Sequence, residues 1–437
     1  MPQVFARRLL AMSALLLSTQ AFAAEGMPGQ PAPDITVALD GSGNFKSVAA
    51  AMQSIPRTNS QRITVYVKDG LYNERVSVPA PFVTLLGQSR KNTRIEFNPN
   101  SESAPVIAVQ GSDFILQNIS VTNTGGNPQP HAVTISSSTA DRVVFLDSDV
   151  LSTGADTVSL WKNDGRYYHA RCNFRGSVDS VCPHGWCYAV DCNFFETRKD
   201  AVIWQDGKGS KEMKFVLKNC TFDGVEGFNL GRHHHDALFV LLDCTFSNHM
   251  IDKDIFRVIY PLDGGPPTAA DIQNNKQHDP TNIWGERNYY YNSHRQAAPE
   301  VLAKDKTATA DFAFHKNNLD KLAPDLKPEQ ITAAWTFAGS PNPWDPESKS
   351  SPTIKSVAAQ DKQIAVTFSE NVTVKGKPSL ALADNSTATY AGGSGTTTLL
   401  FDTAAPAGKP KSLDLNNGFI FASQASATLR NADPKLP

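Results

Sequence analysis

Arg171-Cys-Asn-Phe174, Asp191-Cys-Asn-Phe194, Asn219-Cys-Thr-Phe222 and Asp243-Cys-Thr-Phe246 repeat one pattern: a cysteine, a small polar residue and a phenylalanine. Cys172, Cys192, Cys220 and Cys244 stand 20, 28 and 24 residues apart. A repeat of that length holds two short strands, cannot bury its apolar face alone, and becomes stable only by stacking. The pattern predicts an all-β, right-handed parallel β-helix. Leu116–Val121 and Phe145–Val150 read as weaker copies that place Ile119 and Ser148 at the cysteine position, so at least six coils are expected.

A second pattern runs beside the first: Gly154-Ala-Asp-Thr-Val158, Ser177-Val-Asp-Ser-Val181 and Lys199-Asp-Ala-Val202. Its aspartates, Asp156, Asp179 and Asp200, are 23 and 21 residues apart. Equivalent residues of stacked coils lie roughly 4.8 Å apart, the spacing of neighbouring strands. Two carboxylates at that distance share one proton and one apparent pKa rises, which supplies an acid and a base side by side.

With Asp40-Gly-Ser-Gly-Asn-Phe45, Gly70-Leu-Tyr-Asn-Glu74 and Leu230-Gly-Arg232, these motifs make the chain resemble the pectinesterases over Asp34–Pro346. The resemblance implies a carbohydrate esterase that removes methyl groups from polygalacturonate (pectin), without a cofactor. It implies that Asp179 attacks the ester, that Asp156 donates and then accepts the proton, and that Arg232 holds Asp179 ionised with its planar fork. The family's two oxyanion glutamines are replaced here by His131 and Ala155, which leaves His131 as the oxyanion candidate. Asp200 has no matching acid in the family and reads as structural. Where the family has Pro-Trp after Gly-Arg, this chain has His233-His234, so His233 joins Trp161 and Trp204 as a substrate-binding candidate. Aromatics at such places also fill β-helix cores. A β-helical lyase or glycosidase, or an inactive polysaccharide-binding protein, are the alternative readings.

Arg7 and Arg8 followed by apolar Leu9–Leu17 and Ala21-Phe-Ala23 predict a signal peptide over residues 1–23, and hence a secreted or periplasmic protein. Nine apolar residues fall short of the roughly 20 that cross a bilayer, so no membrane partner is expected. The net charge of −2 gives no basic footprint for nucleic acid, and the chain is expected to be a monomer. Six cysteines in an exported protein allow disulfides, with neighbours in the ladder or Cys182 and Cys187 as partners; the ladder equally serves as a row of small apolar core residues. No metal site is expected, because adjacent residues of His233-His234-His235 point to opposite faces of a strand.

Val48, Met52 and Ile55 recur at helical spacing and predict a short helix capping the N-terminal end. Residues 24–339 form the expected esterase domain, with Trp284–Arg295 as a strand bordering the cleft and short helices in 315–334 closing the C-terminal end. Pro-rich 340–351 reads as a linker. Short strands between Gly, Asn and Asp turns in 352–437 predict a small antiparallel β-sandwich, which resembles bacterial immunoglobulin-like modules.

Overall fold

A computed structural model describes residues 33–101, 103–125, 131–207, 210–297, 301, 304–305, 309–310, 317–347, 354–404, 410–414 and 418–422. The expected signal peptide lies outside them. Residues 35–296 coil into a parallel β-helix of three sheets. Each coil contributes one strand to sheet one (Ile35–Val37 through Asn288–Tyr291), one to sheet two (Gly70–Tyr72 through His294–Gln296) and one to sheet three (Val76–Val78 through Phe256–Arg257). Sheet three has eight strands and carries the candidate site.

The cysteine pattern is the corner between sheets one and two. The residue ahead of each core position is left-handed: Asn118 (φ 55°), Asp147 (49°), Arg171 (55°), Asp191 (54°), Asn219 (51°), Asp243 (53°) and Asn292 (43°). Asn and Asp tolerate this conformation better than other side chains, which explains six of the seven identities. Corner side chains also bond along the stack, Asn219 Nδ2 to Asp191 Oδ1 at 2.6 Å and Asn292 Nδ2 to Asp243 Oδ1 at 2.7 Å. Asn292-Ser-His-Arg295 is therefore another coil: Asn288–Tyr291 extends sheet one and His294–Gln296 sheet two, so this segment is not the cleft-bordering strand expected from sequence.

The next residues turn inward. Cys172, Cys192, Cys220 and Cys244 are buried free thiols, as are Cys182 and Cys187. The phenylalanines stack beside them, Phe174 on Phe194 at 5.2 Å, Phe194 on Phe222 at 4.8 Å and Phe222 on Phe246 at 5.3 Å between ring centroids. In-register pairing of identical residues makes this column possible.

Helix Val48–Gln53 covers the first coils with Val48, Ala51 and Met52. Its amino end is held by Glu74, which accepts from the Ser47 hydroxyl (2.5 Å) and the amides of Val48 (2.8 Å) and Ala49 (3.0 Å). A carboxylate there satisfies amides that have no partner inside the helix and complements the helix dipole.

At the other end, Asn318 bonds the amide of Tyr290, and the chain then runs back across the outer face of sheet one. Leu319, Ile331, Ala333 and Phe337 join Tyr168, Trp186, Val216 and Val240 in a second apolar cluster. The short helices thus cover a face more than they close an end. Trp344 is buried in the same cluster, and Tyr168 Oη donates to Glu347 at 2.9 Å, so the front of the Pro-rich stretch lies against the β-helix.

The C-terminal strands are antiparallel and form one curled sheet, not two packed ones. Strand Gln363–Gly376 bends at a register shift between Thr367 and Val372. Its first half pairs with Ile354–Gln360 and its second with Gly418–Ala422. Val366, Leu380, Leu399 and Phe401 are buried on the concave side.

Candidate active site

Asp156 and Asp179 sit directly ahead of the sheet-three strands Val158–Leu160 and Val181–Pro183, which pair Val158 with Val181. That register sets the two carboxylates side by side. Both residues are left-handed (φ 58° and 57°), and so is the β-branched Val178 (φ 47°), a conformation held only where surrounding bonds enforce it. Arg232 lies two coils on, in strand Asn229–His233, opposite Trp204. Its long side chain reaches back to Asp179: Nε donates to Oδ1 at 3.0 Å and lies 3.3 Å from Oδ2, while Nη2 donates to Oδ2 at 2.7 Å.

Burial pushes the Asp179 carboxyl up to about 7 against the opposing pull of the Arg232 hydrogen bonds; the charges of Asp156 and Asp200 push it the same way as burial. Asp156 is also raised, again by burial, with His131 and Arg232 opposing. Near neutrality the pair therefore keeps a proton. The fork of Arg232 on Asp179 favours the negative charge there and the proton on Asp156.

Asp200 does not continue the aspartate row. The Asp179 amide donates to Ala201 O at 2.7 Å and Val181 pairs with Ile203, so Asp200 is displaced along the chain. The similar spacings of 23 and 21 residues concealed the shift because coil lengths vary. Its carboxylate nevertheless lies 3.4 Å from Arg232 Nη1, on the far side of the guanidinium from Asp179. Asp200 is thus part of the site's electrostatics and not a remote structural acid.

His131 and Ala155 form an isolated backbone bridge at the start of this region. The His131 side chain is about half exposed, at 47%, with Nε2 3.7 Å from Asp156 Oδ2. Trp161 is exposed and stacks on His184 at 5.3 Å; the edge of Trp204 meets His184 at 5.2 Å and His234 at 5.6 Å. His234 Nε2 lies 2.9 Å from Tyr260 Oη. His233, a substrate-binding candidate from sequence, points away from this row. Its ring is buried, with Nδ1 2.7 Å from His235 O and Nε2 3.6 Å from Glu286. Strand alternation explains the correction: with Arg232 on the cleft side, His233 must face the other way and His234 returns. His184, His234 and Tyr260 were missed, and the alternation from Arg232 was the one signal that pointed to His234. Among the described residues, no three His, Cys, Asp or Glu side chains are arranged to hold a metal ion.

Residues 34–237 match the family described as Pectinesterase. Over this stretch the chain is similar to the pectinesterases. A pectinesterase of Petunia integrifolia is 28% identical over 43% of this chain and 53% of its own length. A probable pectinesterase/pectinesterase inhibitor of Arabidopsis thaliana is 28% identical over 45% of this chain and 36% of its own length, and a second probable pectinesterase of that plant is 26% identical over 46% and 66%. The chain thus spans only part of the length of these pectinesterases. Among solved structures, pectin methylesterase from carrot aligns with a TM-score of 0.48 at 20% identity, covering 60% of this chain and 82% of that one. Pectin methylesterase from Erwinia chrysanthemi aligns with a TM-score of 0.49 at 17% identity, covering 68% and 99%.

Proposed function

We propose that this protein hydrolyses the methyl esters of polygalacturonate, releasing methanol and a free carboxylate, with Asp179 as nucleophile. The observation that carries the reading is the two-point hold of Arg232 on Asp179 beside a second carboxyl with a raised pKa. It agrees with the match of residues 34–237 to the Pectinesterase family model.

The proposed reaction runs in two halves, as the likeness to the pectinesterases implies. Asp179 attacks the ester carbonyl carbon to give a tetrahedral intermediate. Collapse breaks the bond to the methoxy oxygen, which takes the proton of Asp156, and methanol leaves an anhydride on Asp179. Asp156, now a carboxylate, takes a proton from water as that water attacks the anhydride. The bond to Asp179 breaks, galacturonic acid departs and gives its proton to solvent, and the Asp179 carboxylate and protonated Asp156 are restored. His131, beside Asp156 and open to solvent, is the imidazole available to donate to the oxyanion. Exposed Trp161 offers its ring to a sugar residue, whereas Trp204, a substrate-binding candidate from sequence, is buried and braces His184 and His234. No step calls for a metal. Residues 1–23 support export as a secreted or periplasmic protein, and the C-terminal sheet acts as a polysaccharide-binding or spacer module.

Methanol release from methylated pectin, with and without chelator, tests the reading. Methanol should appear in both conditions without unsaturated-sugar absorbance, and Asp179→Asn should abolish it. Chelator-sensitive chain cleavage without methanol would overturn the proposal in favour of a lyase.

A further inference from the structure

Directly beneath the aspartates lies a carboxyl group that the proposed reaction does not use. Glu196 ends strand Asn193–Glu196 of sheet two, faces inward and is fully buried. Its neighbours in register are Gly176 on one coil and Gly224 on the next. Both glycines are spatially required. A Cβ on Gly176 would fall 1.9 Å from Thr157 Oγ1, and one on Gly224 would fall 2.6 Å from the Glu196 carbonyl oxygen. A long side chain between two glycines has room for its polar end inside the coil, where a polar group is retained at a cost unless it bonds something.

What it bonds is the backbone of the site. Glu196 Oε1 accepts from the amide of Val178 at 3.3 Å and from that of Arg198 at 2.9 Å. Val178 occupies a left-handed conformation that a β-branched residue adopts only under constraint, and its successor is Asp179. The carbonyl of Val178 in turn receives the amide of Asp156 at 3.0 Å. Val178 therefore connects the two aspartates, and Glu196 holds Val178.

We propose that Glu196 is a positioning residue that fixes Val178, and through it sets the relative placement of Asp156 and Asp179. The proposal rests on the esterase reading for the reaction it serves. Burial pushes the Glu196 carboxyl up to about 9, with the charges of Asp200 and Asp179 acting in the same direction and its two amide donors opposing. It is therefore a neutral acid at pH 7. Its second oxygen, Oε2, is buried and pairs with no described donor, which fits a protonated group and not an anion. Neutrality also keeps a further negative charge away from a site where Arg232 already faces Asp179 and Asp200.

The test compares Glu196→Gln, whose amide oxygen can accept the same two bonds, with Glu196→Leu, which accepts none, and Glu196→Asp, whose carboxyl stops short of Val178. Methanol release gives kcat and KM, and hydrogen exchange follows the Val178 and Asp156 amides. Small misplacement of reacting groups costs up to about 100-fold in rate, so the Leu and Asp variants should lose at least about thirtyfold in kcat with KM little changed. They should also exchange faster at both amides. Glu196→Gln should stay within about threefold of wild type, because the accepting oxygen is retained. Should Glu196→Leu not fold, the Asp and Gln variants decide alone. Equal losses for Gln and Asp, or none in either, would overturn the proposal. If the wild-type protein releases no methanol, the esterase reading fails separately, and exchange at Val178 and Asp156 still judges Glu196.

Discussion

Replacing Arg232 with alanine removes three close contacts on Asp179, at 3.0, 3.3 and 2.7 Å, from a carboxyl that is almost fully buried. Removing one partner of a buried charged pair costs roughly 3–5 kcal/mol. At about 1.4 kcal/mol per pKa unit, this moves the Asp179 carboxyl up by roughly 2–3.5 units. Starting from about 7, it would ionise only in the alkaline range. In the proposed mechanism Asp179 attacks as a carboxylate, so activity should rise as pH passes upward through this pKa. At pH 7 the ionised fraction drops from near one half to below roughly one in a hundred, and kcat should fall about 50-fold or more. Activity should recover as the pH is raised, and Arg232→Lys should fall between the two because it keeps the charge and loses the fork. The assay is methanol release over pH 5–10, alongside thermal melts of each variant. An Arg232→Ala protein of unchanged stability whose acid limb stays where the wild type has it would refute the reasoning.

Other outcomes follow from the same geometry. Asp200→Asn removes a like charge that raises Asp179, so the acid limb should shift to lower pH with only a modest change in maximal rate; the pH–rate profile checks this. Asp156→Asn should instead abolish most turnover at equal stability, measured by methanol release. For folding, Glu196 binds a proton in the native state between its ordinary pKa and about 9, where the unfolded chain does not. Stability should therefore fall as pH rises through that window, by up to about 1.4 kcal/mol per unit, and Glu196→Gln should flatten the slope in urea titrations. Phe222→Ala removes the middle ring of a stack that touches Phe194 and Phe246, and should cost about 3–5 kcal/mol in denaturant unfolding. Gly176→Ala forces a methyl group into Thr157 and should cost about 1–3 kcal/mol together with activity, read by melts and methanol release.

The repeat of cysteine and phenylalanine determined the β-helix from sequence alone, because residues that stack in register must recur, and Ile119 and Ser148 were placed correctly at the cysteine position. The closeness of Asp156, Asp179 and Arg232 was legible for the same reason: in-register coils bring equivalent residues together, and only a long side chain spans two coils. The corner residue ahead of each cysteine carried a further signal that sequence reading passed over, the preference of Asn and Asp for left-handed backbone. Only the tertiary structure decided the rest. Asp200 looked equivalent to its two predecessors until the pairing of Val181 with Ile203 displaced it. His233 was chosen over His234 until the direction of Arg232 fixed which face each residue takes. Glu196 could not be connected with Val178 from sequence, since only the register between Gly176 and Gly224 and the inward turn of its side chain bring its carboxyl to that amide. Spacing specifies which residues recur, whereas register, facing and burial are set by contacts between segments far apart in the chain.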